Sequence, residues 1–164
     1  MRLRDNRGVS LLELIVVIAI LAILATGTVS LFGLLRTADT AKAARLIDSV
    51  MEEVRMDTMS RSQKQYLYLY CIGDRIYLKA SPQAASGEAG LDAESGRRLA
   101  KGITLFYKKE TEGEDYLEAG ESLRISFERS SGAFDPGYEY IRIHGPSHTS
   151  EITCIPETGR HWVK

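Results

Sequence analysis

The apolar positions of this chain are concentrated near its N-terminus. Residues 14–35 contain no charged side chain, and Leu, Ile, Val and Ala fill most of that window. About 20 consecutive apolar residues in a helix match the thickness of the hydrocarbon core of a bilayer. The run therefore predicts a membrane-spanning helix, which we place at residues 9–35.

The helical pattern continues beyond this run with a different distribution of side chains. Gly and Pro are absent from Arg36 to Ile72, and apolar residues recur on one helix face while charged residues mostly occupy the others. We predict one helix from residue 9 to about residue 62, about 80 Å long, and assign residues 36–65 to its amphipathic half. The apolar stripe consists of Ala43, Ile47, Val50 and Val54.

From Tyr66 onward the period of the apolar residues changes from 3.6 to 2, which predicts β-strands. The first strand alternates Tyr with Leu and Cys and is predicted to be half-buried, and Gly73-Asp74 is a hairpin-turn signal. Residues 81–98 are rich in Ala, Ser, Gly and Glu and are predicted to form a long, mobile loop. The predicted strands are 66–71, 75–79, 103–108, 123–128, 138–144, 151–155 and 160–163.

These periods predict an α+β fold. A long N-terminal helix, membrane-spanning in its first half and amphipathic in its second, packs on a small antiparallel β-sheet domain of residues 66–164. Arg2, Arg4 and Arg7 outnumber Asp5 before the apolar run, and positively charged flanks remain in the cytoplasm. The N-terminus is therefore predicted to be cytoplasmic and the C-terminal domain extracytoplasmic.

Glu13 is a carboxylate within the apolar segment. A secretory signal peptide gains nothing from such a residue, and the apolar run is longer than an ordinary signal peptide needs. Placing a carboxylate near the bilayer centre costs about 2.5 kcal/mol or more, so an ionisable residue there indicates a functional site. The alternatives are a plain signal peptide or featureless anchor, or a Glu13 side chain that reaches back to the membrane interface.

The residues Gly8-Val9-Ser10-Leu11-Leu12-Glu13, followed by the apolar run, resemble the N-terminal signal of the type IV pilin and type II secretion pseudopilin family. That family has a short basic leader, a Gly, a hydrophobic residue, Ser or Thr, two apolar residues and then Glu; Val9 stands where Phe is commonest. The resemblance implies that residues 1–8 are a leader peptide. It also implies that a prepilin peptidase/N-methyltransferase cleaves between Gly8 and Val9 and methylates the amine of Val9.

Cleavage would create an α-amine on Val9, four residues before Glu13 and on the same helix face. In a filament, the carboxylate can pair with the amine of a neighbouring subunit. The pair compensates a costly buried charge and fixes the axial register of the neighbouring helices. The family resemblance implies this role for Glu13. It also implies the partners, which are other pilin or pseudopilin subunits, the inner-membrane assembly platform and membrane lipid.

The C-terminal part resembles a narrower group. Residues 123–127 followed by Gly132, and residues 152–160 with their Pro-Glu-Thr-Gly-Arg turn, resemble minor pseudopilins of the GspH/FimT type. A major pilin or another minor pilin is the alternative. Members of the FimT branch can bind DNA through a C-terminal Gly-Arg-x-Arg, of which Gly159-Arg160-His161 keeps the first half while Trp162 replaces the second Arg.

Strand alternation places Arg160, Trp162 and Lys164 on one face, a cation–aromatic–cation row that could hold phosphate and stack a base. The alternative is a closing strand with Trp162 packed on the edge of the core. Beyond residue 35 the net charge is −2, because the whole-chain −1 includes +2 from the leader and −1 from Glu13. This balance disfavours a broad phosphate-binding surface.

Two cysteines, Cys71 and Cys154, are predicted to point inward on their strands. They either form a disulfide across the sheet or remain two buried free thiols, which behave as small hydrophobic groups.

No metal site, cofactor or enzymatic activity is predicted. The six acidic residues from Glu110 to Glu121 lack the Asp-x-Asp spacing of a calcium loop and are predicted to be solvated. His144 and His148 flank Gly145-Pro146, which excludes the helical spacing of metal ligands. The sequence also contains no Gly-rich phosphate loop and no recognisable set of nucleophile, base and orienting residue.

The function predicted from the sequence is structural. The chain is expected to be a minor pilin or pseudopilin, a single-pass protein of the cytoplasmic membrane that assembles into a surface or periplasmic filament. The alternative is a DNA-binding minor pilin that captures DNA for uptake.

Overall fold

The computed structural model describes residues 11–82 and 91–164, and for residues 24–38 it describes the helix backbone without the side chains. The chain divides into two compact units, Met1–Leu35 and Arg36–Lys164. The second unit contains the C-terminal part of the helix and all of the described strands.

The helix α1 extends from Leu11 to Ser60. The prediction of one long helix ending near residue 62 is therefore confirmed over the described residues. Local bonds fix its C-terminal end: the N–H of Gln65 donates to the buried Thr58 hydroxyl (3.2 Å), and Arg61 pairs with Asp57 (3.0 Å). These contacts direct the chain from the helix into the first strand.

The described residues form two antiparallel sheets. The first has the strand order β3-β2-β1-β6 and the second has the order β5-β4-β7-β8-β9. The predicted α+β class is therefore confirmed. The strands are β1 (Tyr66–Ile72), β2 (Arg75–Ser81), β3 (Arg97–Lys101), β4 (Thr104–Lys109), β5 (Glu114–Tyr116), β6 (Ser122–Ser126), β7 (Tyr138–His144), β8 (Thr149–Ile155) and β9 (Arg160–Val163).

All of the predicted strands are present, with ends that differ by at most two residues, and Gly73-Asp74 forms the predicted turn. Two further strands, β3 and β5, were not predicted. β2 ends at Ser81 and β3 begins at Arg97, so strands occupy both ends of the predicted loop 81–98, of which residues 83–90 lie outside the described residues. Leu99 is the only buried residue of β3, and β5 has none, so neither strand has an apolar period.

The tyrosine face of β1 is buried, which corrects the prediction of a half-buried strand. Tyr68 and Tyr70 are only 3% and 2% exposed. The Tyr70 hydroxyl donates to the carbonyl oxygen of Asp92 (2.7 Å), and its ring stacks on Tyr77 with the centroids 5.6 Å apart. A Cβ on Gly96 would lie 2.8 Å from the Tyr70 ring, so the segment that precedes β3 covers this face closely.

The core joins the amphipathic part of α1 to both sheets. The predicted stripe is buried, and it belongs to one cluster with Leu67 of β1 and Ile141 of β7. Removing a Val or Ile side chain from water stabilises a fold by about 1.5–3 kcal/mol. This packing positions β8 and β9 against the helix.

Candidate functional site

The start of α1 presents apolar side chains to solvent on all sides. Their exposed fractions range from 47% to 77%. Apolar surface of this extent is unfavourable in water, at about 25 cal/mol per Å², and it marks a contact surface for lipid or protein. The ten residues are Leu11, Leu12, Leu14, Ile15, Val16, Val17, Ile18, Ile20, Leu21 and Ile23.

Glu13 lies in the first turn of α1 and is exposed. A carboxylate at this position interacts favourably with the positive end of the helix dipole. The predicted cleavage and methylation residues, Gly8 and Val9, lie outside the described residues, as do the side chains of residues 24–35 in the predicted span. Where the structure describes the chain, it contains no helix that is both long and apolar enough to cross a membrane.

The last strand presents the predicted cation–aromatic–cation row. Arg160, Trp162 and Lys164 are all exposed, and Trp162 is 43% exposed, so its side chain is not packed in the core. Inward-facing residues alternate with this row, because His161 and Val163 are directed toward the helix and the core. The three side chains of the row are therefore accessible to solvent on one face of the strand.

Carboxylates pair with two of the cations on this sheet face, Arg142 and Lys164. Lys164 Nζ lies 4.0 Å from Glu151 Oε1, and Arg142 pairs with both Glu151 (2.9 Å) and Glu114 (2.7 Å). Arg142 is therefore neutralised, and the guanidinium of Arg160 has no carboxylate partner among the described residues. The positive charge that remains for a phosphate is small.

His161 is the main structural residue that the sequence reasoning missed. Its side chain is 2% exposed, and its ring nitrogens lie 3.1 Å from the carbonyl oxygen of Asp48 and 3.0 Å from that of Gly159. Burial raises the pKa of the Asp48 carboxyl, and the nearby His161 partly opposes this shift. The period of 2 along the last strand could have identified it, because alternation places residue 161 on the strand face that Arg160 does not occupy.

Arg55 connects α1 to the turn before β9. Its Nε donates to the carbonyl oxygen of Gly132 and its Nη2 to that of Thr158, both at 3.2 Å. Gly159 has a φ of +66°, and a Cβ there would lie 2.9 Å from the Gly132 carbonyl carbon. The Gly of the Pro-Glu-Thr-Gly-Arg turn is therefore required both by its backbone conformation and by this close approach.

Cys71 and Cys154 are both buried, and they are free thiols rather than a disulfide. They lie in different sheets, on β1 and β8, and each thiol bonds a carbonyl within its own segment: that of Gly73 for Cys71 and that of Ile152 for Cys154. Burial raises the pKa of the Cys154 thiol to about 12.

The acidic segment and the histidines form no metal centre. Glu112 pairs with Lys109 (2.7 Å), and Asp115 accepts a hydrogen bond from the Tyr107 hydroxyl (3.3 Å). His144 ends β7 and His148 lies in the following turn, both exposed. In the ranges that the structure describes, no group of three His, Cys, Asp or Glu side chains could hold a metal ion.

Comparison with known families identifies the N-terminal segment. Residues 3–29 match the prokaryotic N-terminal methylation motif, which is the signal of type IV pilins and pseudopilins. No curated protein and no solved structure matches the chain. The motif lies on a fold in which an N-terminal helix packs on an antiparallel β domain.

The motif supports a type IV pilin-like or pseudopilin protein, and the family that carries this motif is structural rather than enzymatic. The motif indicates a membrane-anchored subunit that is processed by prepilin peptidase and assembles with other pilins.

Proposed function

We propose that this chain is a minor pilin or pseudopilin of the GspH/FimT type, a structural subunit of a type IV pilus-like or type II secretion filament. The carrying observation is the start of α1, where the methylation motif coincides with ten exposed apolar side chains. Such a helix requires an apolar environment. Lipid supplies it before assembly, and the helices of neighbouring subunits supply it in the filament.

In this proposal, prepilin peptidase cleaves after Gly8 at the cytoplasmic side and the new amine of Val9 is methylated. Glu13 then accepts the amine of a neighbouring subunit as the inner-membrane assembly platform adds subunits. Pairing compensates two charges that are each costly in an apolar core. The pair therefore fixes the axial register of the helices.

The minor-subunit assignment is supported by the end of the chain. The turn at residues 156–159 packs against α1 through Arg55 and depends on the left-handed Gly159. This is the segment whose sequence resembles the GspH/FimT type. The dependence on Gly159 gives a physical reason for the Thr-Gly-Arg order of that motif.

Filament incorporation of Glu13→Val tests the proposal. Loss of one partner from a buried charge pair costs about 3–5 kcal/mol, so the variant should be processed and inserted but reduced at least about tenfold in sheared filaments. Leu12→Val on the same exposed helix turn is the matched control and should assemble normally. Normal assembly of Glu13→Val would support a carboxylate that only reaches the membrane interface, and it would contradict the register role.

DNA binding is a second candidate, favoured by the exposure of Arg160, Trp162 and Lys164. The fragment 36–164 would then bind single-stranded or duplex DNA weakly, with a log–log salt slope of about −2 from two phosphate contacts. Arg160→Ala should reduce this binding without changing the melting temperature, whereas Lys101→Ala on β3 should not reduce it. Absence of salt-sensitive binding at low ionic strength would remove this candidate and leave the filament role.

A further inference from the structure

One edge of the four-stranded sheet has no partner strand among the described residues. Within these ranges, β6 is the terminal strand of that sheet and pairs only with β1. Beside β6, the N–H of Cys71 donates to the carbonyl oxygen of Glu121 (3.1 Å). In an antiparallel ladder, alternate residues direct their main-chain groups to the same neighbour. Leu123 therefore bonds β1, whereas Ser122 and Arg124 direct their N–H and C=O groups away from it.

The returning chain covers only the far end of this open edge. The N–H of Asp135 donates to the carbonyl oxygen of Ser126 (2.8 Å), after which the chain leaves the edge at Pro136. Tyr138 then donates its hydroxyl to the carbonyl oxygen of Arg124 (2.8 Å). Within residues 11–82 and 91–164, the N–H of Arg124 and both main-chain groups of Ser122 have no partner.

A cleft of about 570 Å³ runs along this edge. The rings of Tyr68, Tyr107 and Tyr138 contribute to its walls. Its charged lining consists of Lys109, Arg124 and a single carboxylate, Glu121, whose Oε2 accepts the N–H of Glu118 (3.0 Å). Lys109 is paired with Glu112 (2.7 Å), so the cleft combines unpaired main-chain groups, aromatic walls and one cation, Arg124, that has no carboxylate partner among the described residues.

Two of the other three sheet edges, β3 and β5, are protected in ways that β6 is not. β3 carries Arg97, Arg98 and Lys101 among its five residues, and charged side chains are a common device against edge pairing. β5 is only three residues long. Between Ser122 and Arg124, by contrast, the β6 edge has no proline and a single charge, and it borders a cleft rather than a convex surface.

We propose that this cleft binds an extended, acidic peptide segment of a partner protein, which adds a strand to β6. The two main-chain groups of Ser122 and the N–H of Arg124 continue the ladder into the peptide, as in other cases of strand addition. Alternate side chains of the peptide contact the ring of Tyr107, which is half-buried, and place a carboxylate beside the Arg124 guanidinium. The cleft lies in the β domain, so this proposal does not depend on the filament role of the apolar helix.

The test uses the full chain in detergent micelles and a blocked, fluorescein-labelled peptide of alternating Val and Glu. Fluorescence polarisation measures its affinity, and hydrogen exchange with mass spectrometry locates the protected amides. We expect saturable binding with protection of the segment around Ser122 and Arg124. The same peptide with its alternate amides N-methylated should not bind, because it cannot extend the ladder. A Val–Lys peptide should bind at least about fivefold more weakly, since its ammonium groups are repelled by the Arg124 guanidinium.

Variants of the edge give an independent readout. Ser122→Pro removes an outward N–H at the first residue of a strand, where proline leaves the β1 ladder intact, and should weaken binding about three- to tenfold. Ser122→Thr keeps the N–H and should bind within about twofold of the natural chain. If Ser122→Pro has a lower melting temperature than the natural chain, its binding is not interpretable, and the comparison of the N-methylated with the unmethylated peptide tests the proposal. Equal binding of the methylated peptide, protection confined to other strands, or no saturable binding would overturn the proposal.

Discussion

The close approach at Gly159 gives a stability prediction with an internal control. Gly159 and Gly73 have nearly the same backbone conformation, with φ of +66° and +63°. A Cβ on Gly73 would have no atom within 4 Å, whereas one on Gly159 would overlap the Gly132 carbonyl group. Gly73→Ala therefore measures the left-handed conformation alone, which costs about 1–2 kcal/mol. Gly159→Ala adds the steric effect.

The added term can be estimated from the contacts around the turn. To accommodate a methyl group, the turn must move away from Gly132, which breaks the two hydrogen bonds that Arg55 donates to Gly132 and Thr158. Hydrogen bonds from a charged donor contribute about 1.5–3 kcal/mol each. The loss for Gly159→Ala should therefore exceed that for Gly73→Ala by about 3 kcal/mol or more.

Urea and thermal unfolding of the fragment 36–164, followed by circular dichroism, measures both variants. For a domain of this size, an excess of about 3 kcal/mol lowers the melting temperature by about 10 °C. Equal losses for the two variants, within about 0.5 kcal/mol, would refute the contact between the turn and Gly132.

Two further predictions concern the buried groups behind β9. His161→Ala removes the ring that bonds the carbonyl oxygens of Asp48 and Gly159 and should lower the free energy of unfolding by about 2–3 kcal/mol. Arg160→Ala, at the neighbouring outward position, should lower it by less than about 0.5 kcal/mol. Equal losses in urea unfolding would contradict the burial of His161. Burial raises the pKa of the Cys154 thiol from 9.0 to about 12, so its contribution to stability is fully present below pH 9.0 and is lost as the pH rises toward about 12. Unfolding measured across this pH window should show a shallower decline for Cys154→Ala, and an unchanged slope would contradict the shift.

The parts of the fold with a strong apolar period could be predicted from the sequence. The stripe through Ile47 and Val54 is buried, and the strands after Tyr66 occur where their period of 2 begins. β5 could not be found in this way because all three of its residues are exposed and it is held by pairing with β4. The covering of Tyr70 depends on a distant segment around Asp92, which no local pattern encodes.

Of the candidate sites, those that depend on local spacing could be predicted from the sequence, and the one that depends on strand order could not. The signal around Glu13 depends on local spacing, and the exposed row at Arg160 follows from strand alternation, so both could be proposed from the sequence. The open edge at Ser122 could not, because it depends on which strand ends the sheet and on where the chain leaves it at Pro136. The order of the strands in a sheet is set by contacts between distant segments, which no local sequence pattern encodes.

The central claim, that this chain is processed as a pilin, is tested most directly by the mass of its N-terminus. The protein is extracted from membranes of cells with an active prepilin peptidase and analysed intact and after proteolysis. We predict a chain that begins at N-methyl-Val9, and accumulation of the unprocessed form for Gly8→Phe, because a bulky residue blocks the cleavage site. An intact Met1 in the natural chain under these conditions would contradict the assignment.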